Sequence, residues 1–219
     1  MLIGPRAAAL PSAALMQELA DAPGAGSLVA ITDPEKFPFN INYNHYPINP
    51  SHEEPAREKI ILKFPSEKPR LGHFGLSTQV FESQPQFHTS TFNIVTTDFI
   101  HTDEHGQRIP VTVFMHLYLG KEPVDHAFFL SANPKTSHIY HCSFEPSVAG
   151  QEEISAGPGV GHHVLGSQNF DYWWDVSGNM VELYADGDLV DAETPIGYVP
   201  AGPDSLAIWG TGLLATFVE

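Results

Sequence analysis

The stretch Phe170–Ala185 reads FDYWWDVSGNMVELYA. Two runs rich in aromatic and branched residues, Phe170 to Trp174 and Asn179 to Ala185, flank Asp175-Val176-Ser177-Gly178, which has turn chemistry. The expectation is a β-hairpin. Working outward, further strands are predicted over Gly72–Val80, Phe99–Thr102, Val111–Leu119, His126–Leu130 and His138–Phe144, and a last short one over Leu206–Trp209. A helix is predicted over Glu82–Ile94. From Leu71 the order is strand, helix, three strands, followed by a similar but degraded series. That pattern is α+β, strand-dominated, and compatible with a repeated βαβββ unit. Before it, Ala13–Ala20 reads as a short helix capped near Ser12, and Ser27–Thr32 and Phe37–Tyr43 read as strands. Pro47 to Lys68, with four prolines, reads as a linker. Two parts are expected: residues 1–65 as a partial N-terminal module and linker, and 66–219 as the main domain.

The 219 residues carry 10 Lys+Arg against 26 Asp+Glu, a formal net charge of −16. Such a surface repels phosphate backbones and anionic lipids, so neither nucleic acid nor membrane is expected as a partner. No apolar run approaches the ~20 residues that span a bilayer. Met1–Ala22 lacks the unbroken apolar core of a secretory signal, and a cytoplasmic location is expected. One cysteine, Cys142, excludes an internal disulfide and a cysteine-built zinc site. The 12 histidines raise the expectation of a metal. Lys135 is the last basic residue, and only acids follow it. They form either a plain solvated acidic surface or, in part, ligands neutralised by a cation.

Three polar residues stand inside predicted strands with apolar neighbours: His73 in LGHFGL, His141 in IYHCSFE and Glu182 in NMVELY. Each alone reads as an ordinary strand histidine or a solvent-facing glutamate. Together, two imidazoles and one carboxylate make the facial triad that suits non-haem Fe(II) and leaves open positions for other ligands. His126, His163 and Tyr172 form a second set, able to move protons or hold a phenolate, or else to be satisfied core polar groups. Phe128, Trp173 and Trp174 read either as pocket lining or as core.

Gly161–Glu182, GHHVLGSQNFDYWWDVSGNMVE, resembles the signature of type I extradiol ring-cleavage dioxygenases of the vicinal oxygen chelate (glyoxalase/bleomycin-resistance) superfamily. His163, Tyr172, Asp175, Gly178 and Glu182 fall on that signature in register. LGHFGL, VDHAFFL and YHCSFE resemble its other histidine segments, in the same order. YADGDLV and SLAIWG resemble the stretches that follow. The resemblance covers Leu71–Glu219, while Ser27–Asn44 resembles only the tail of the family's first domain. It implies paired βαβββ modules forming an open barrel around a metal site, preceded by a partial module. It implies Fe(II), less often Mn(II), on His73, His141 and Glu182. His126 would be the acid assisting O–O cleavage, with His163 and Tyr172 contacting the catecholic oxygens. The implied substrates are a catecholic small molecule and O2, with meta cleavage of the ring in aromatic catabolism. Family members often assemble, so a homo-oligomer is compatible.

The chain departs from the family pattern in places. Met1–Pro65 supplies about half a first domain. Glu145–Gly161 is short and reads without the usual helix, so it is expected to be the weak point of the fold. Val176 replaces a proline, Asp171 stands where an apolar residue is usual, and His162 where arginine is common. Two other readings compete with the dioxygenase. A glyoxalase-type isomerase would expect two carboxylate ligands and give no role to His126 or Tyr172. A degenerate paralogue would keep the pocket as a non-catalytic binding protein.

Overall fold

The computed structural model describes residues 7–46, 70–145 and 159–210. The chain divides into two compact units, Met1–Leu62 and Lys63–Glu219. The predicted linker Pro47–Lys68, most of Glu145–Gly161 and the boundary at residue 65 lie outside the described residues.

The first unit holds a three-stranded antiparallel sheet ordered β1 (Gln17–Glu18), β2 (Ser27–Thr32) and β3 (Pro38–Tyr43). SLVAIT alternates strictly, burying Ser27, Val29 and Ile31, the period of a half-buried strand. The Asp33 carboxylate accepts hydrogen bonds from the Glu35 and Phe37 backbone N–H groups and shapes the turn into β3. The helix expected over Ala13–Ala20 does not form. Gln17 and Glu18 pair with β2 instead, and the Ala14 N–H donates to the Ala30 carbonyl. The open edge of β2 outweighs the helix propensity of a short Ala/Leu run, because unpaired strand groups take any extended neighbour.

The second unit is a ten-stranded mixed sheet built from two modules of the same connectivity. In the first, β4 (Arg70–Thr78) leads through the helix α1 (Ser83–Thr91) to β5 (Ile94–Glu104), β6 (Gln107–Leu117) and β7 (His126–Ala132). In the second, β8 (His138–Glu145) is followed by β9 (Val160–His163), β10 (Asn169–Trp174) and β11 (Met180–Ala185). In each module the last strand runs parallel to the first, β7 beside β4 and β11 beside β8. β4 and β8 join the modules antiparallel. The edge strands β12 (Gly197–Pro200) and β13 (Ala207–Gly210) complete the order β12-β5-β6-β7-β4-β8-β11-β10-β9-β13. This is the paired βαβββ arrangement expected from the sequence.

α1 is shorter than expected, and β5 begins at Ile94 because Ile94-Val95-Thr96-Thr97 is a β-branched run. β9 and β12 had no strand signal. The face of the first module away from the cavity packs Phe128 against Phe74 and His88, with ring centroids 4.7 and 4.5 Å apart. Leu76, Val113, Met115 and Leu130 fill the core beside them. Burial lowers the His88 imidazole pKa to about 4.

Several register shifts break the simple alternation, and three of them lie on the strands β4, β7 and β8. β4 carries an extra residue at Gly72–His73 opposite Ser143, β8 one at Tyr140 opposite Gly75 and Leu76, and β7 one at Ala127 opposite Met115 and His116. Such bulges re-aim side chains. Each sits beside a residue singled out from the sequence, namely His73, His141 and His126. Without the Ala127 bulge, His126 would share a face with Phe128 and Leu130 and point toward α1. Among the described residues no helix is long and apolar enough to cross a membrane.

Candidate metal centre

His73 on β4, His141 on β8 and Glu182 on β11 come from the three central strands of the sheet, all buried. Their ligand atoms lie within 4.8 Å of one another. His73 Nε2 is 2.9 Å, and His141 Nε2 3.2 Å, from Glu182 Oε2, and the two Nε2 atoms are 3.0 Å apart. Glu182 occupies a buried-face position of MVELYA between Met180 and Tyr184. Burial would raise its carboxyl pKa. His73 by its charge, with hydrogen bonds from His141, His163 and His73, outweighs that and holds it well below the usual carboxylate range. Burial lowers the His141 pKa against the pull of Glu182. Two imidazole nitrogens and a carboxylate thus turn toward one buried point. A divalent cation fits that donor set, because it satisfies converging lone pairs that hydrogen bonds alone cannot all share.

The second set lies against this cluster. His163 Nε2 is 3.3 Å from Glu182 Oε1 and 3.2 Å from the Tyr172 hydroxyl. Its Nδ1 is 2.8 Å from the Leu206 carbonyl, which fixes the ring, and Phe170 stacks on it with centroids 4.2 Å apart. Tyr172 is opposite Glu182 across the β10–β11 ladder. Burial, then the charge of Glu182, pushes its phenol well above its usual pKa and keeps it protonated. The His126 ring lies 4.5 Å from that of His73, and burial followed by the His73 charge lowers its pKa well below the ordinary value.

The hairpin expected at Asp175–Gly178 forms. Asp175 Oδ1 accepts from the Ser177 and Asn179 N–H groups, each at 2.8 Å, and Gly178 takes φ +80°. Val176, in the proline's place, projects fully into solvent, so its change leaves Glu182 in register.

A cavity of about 820 Å³ opens on the cluster. It touches His73, His141, His126, His163 and Tyr172, so the structure brings all the sequence-selected residues together. Phe128 belongs to the core, and Trp173 and Trp174 are exposed outside this cavity. The aromatic lining comes from Phe114, Phe129, Tyr140 and Phe170. Phe170 was legible as the residue two before Tyr172 on the same strand face. Phe114 and Phe129 were not, because they come together only as partners across the β6–β7 ladder, a register neither strand announces alone.

No family model matches the sequence, and no curated protein matches it. Solved structures do match. They include the Mn(II)-bound glyoxalase from Novosphingobium aromaticivorans, at 16% identity and TM-score 0.66 over 94% of this chain and 64% of that one. Homoprotocatechuate 2,3-dioxygenase from Arthrobacter globiformis matches at 16% identity and TM-score 0.68, over 93% and 64%. The halotolerant catechol dioxygenase BphC matches at 18% identity and TM-score 0.64, over 98% and 72%. This is the vicinal oxygen chelate fold. The chain spans less than two thirds of the length of the glyoxalase and of the Arthrobacter dioxygenase. In vicinal oxygen chelate terms, the candidate centre lies where the two modules meet, on both first strands and the last strand of the second module.

Proposed function

We propose that this chain is a non-haem Fe(II) extradiol dioxygenase that opens a catecholic ring by meta cleavage and inserts both atoms of O2. The observation that carries the reading is one buried cluster of His73, His141 and Glu182 with His126, His163 and Tyr172 around the same cavity. A single carboxylate among the ligands favours it over an isomerase, and the dioxygenases among the structural relatives support it.

His73, His141 and Glu182 would hold Fe(II), with Mn(II) as the second candidate. When bound, that metal supplies adjoining sites for the diol and dioxygen and a path for electrons between them. Neutral His126 accepts a proton as the diol binds and returns it to oxygen as the O–O bond breaks. Protonated Tyr172 donates a hydrogen bond to a catecholic oxygen, while His163, its Nδ1–H held by the Leu206 carbonyl, offers Nε2 as acceptor to a catechol O–H; together they hold the ring in one pose. Phe129 and Phe170 exclude water around it.

The test is anaerobic loading with Fe(II), followed by catechol and ¹⁸O2. The expected result is one O2 consumed per catechol, with both labelled atoms in the ring-opened product. Absence of oxygen uptake by fully loaded protein across substituted catechols, or a single labelled atom, overturns the assignment.

A further inference from the structure

We propose that Ser143 is the positioning residue that locks the three proposed ligands into one register. The inference rests on the metal-centre reading above and concerns what holds that centre in shape.

β4 has one residue more than β8 between the Leu71–Phe144 and Phe74–Cys142 pairs, so the ladder is interrupted at His73. A buried N–H and C=O in such a gap need another partner. The Ser143 side chain provides both. Its Oγ accepts from the His73 N–H at 2.7 Å and donates to the His73 carbonyl at 2.9 Å. Only a hydroxyl, donor and acceptor on one atom, can replace the missing ladder bonds in this way. Ser143 has no exposed surface, so water does not compete for either bond.

The same residue reaches the other two ligands. Its backbone is in register with Glu182 across the parallel β8–β11 pair, and it lies two residues after His141 on β8. One side therefore meets the strand of Glu182, the other meets His73 itself, and its own strand carries His141. Gly72 tightens the arrangement, because a Cβ there would lie 2.2–2.7 Å from the Tyr184 ring that packs on His73. A bulge pinned only by ladder bonds can slip by one residue, and one residue turns a strand side chain to the opposite face. The Ser143 hydroxyl prevents that slip where it would remove His73 from the centre.

The experiment compares Ser143→Ala with Thr97→Val, which loses another buried hydroxyl contact, 2.9 Å from His116 Nδ1, away from the cavity. Fe(II) alone is the probe, titrated without air against a competing chelator, with metal-free melting followed in parallel. Both variants should melt lower. Ser143→Ala should bind Fe(II) about 10- to 100-fold more weakly, the usual scale for a partner that orients a metal ligand. Thr97→Val should bind as the wild type does. Ser143→Cys, which keeps a weak donor and acceptor, should fall between wild type and alanine and gives a second reading at this position. Wild-type affinity in the Ser143 variants, or an equal loss in Thr97→Val, overturns the inference alone. A wild-type protein that binds no divalent metal overturns the metal centre and this inference with it.

Discussion

The two βαβββ modules share one connectivity and divide the work unequally. The first, β4 to β7, contributes His73 and His126 and is otherwise a packed apolar unit with α1 docked on Phe128. The second, β8 to β11, contributes His141, His163, Tyr172 and Glu182. The first carries Arg70, Arg108 and Lys121, with Lys135 after it, whereas no lysine or arginine follows Lys135. Glu182, fully buried, therefore has no permanent cation of its own module to balance it. Histidines or a bound cation must do so, since a buried carboxylate without compensation is costly. The comparison teaches that duplicated architecture sets where side chains can meet, and that charge composition leaves Glu182 dependent on histidines from both modules or on a bound cation.

The largest expected effect tests that charge argument. Glu182→Gln should lower Fe(II) affinity by more than about 100-fold, because a neutral amide is a poor ligand for a divalent ion and ligand loss exceeds loss of an orienting partner. Metal analysis after anaerobic gel filtration is the check; unchanged iron content sinks the ligand assignment.

The next effect separates His126 from His73, the pair of histidines that the first module brings to the site. His126→Phe should retain iron, yet lose about 10²- to 10⁴-fold in kcat, the range for a lost proton-transfer group. Iron content and turnover measured on one preparation decide it. Loss of iron together with activity would make His126 a ligand rather than a proton carrier.

The apolar side of the first module makes two predictions of its own. Phe128→Ala should destabilise the protein by about 3–5 kcal/mol, the cost of truncating a buried aromatic side chain. Urea unfolding measures it, and a loss below about 1 kcal/mol would contradict the packing described. His88 has a folded-state pKa of about 4 against 6.5 for the free group, with burial as the cause. Between those values the unfolded chain binds more protons, so stability falls as pH drops from about 6.5 to about 4, by at most about 3 kcal/mol. His88→Leu should flatten that part of the profile, and an unaltered slope would refute the assignment.

The smallest effect concerns the second module. Tyr172→Phe removes one hydrogen bond beside His163 and should cost about tenfold in kcat, about 1.4 kcal/mol, with iron retained. Steady-state kinetics on iron-loaded protein measure it. An unchanged kcat would remove Tyr172 from the chemistry and leave His163 to act alone.

The sequence by itself determined the alternating strands, the order strand–helix–three strands and the hairpin at Asp175–Gly178. These follow from local side-chain period and turn chemistry, which a short window contains. It also offered His73, His141 and Glu182 as polar residues within apolar strands, and the resemblance to the extradiol signature set them apart from other strand histidines such as His101 and His116. Tertiary structure decided the rest. Gln17–Glu18 became a strand because β2 offered an edge, and β9 and β12 exist because their neighbours supply partners that their own residues do not announce. The bulges at Gly72–His73, Ala127 and Tyr140 turn His73, His126 and His141 toward one cavity, and a bulge is a mismatch between two strands, invisible in either alone. Ser143 reads in the sequence as one more small strand residue. Only the offset between β4 and β8 gives its hydroxyl both ends of the His73 peptide backbone to hold.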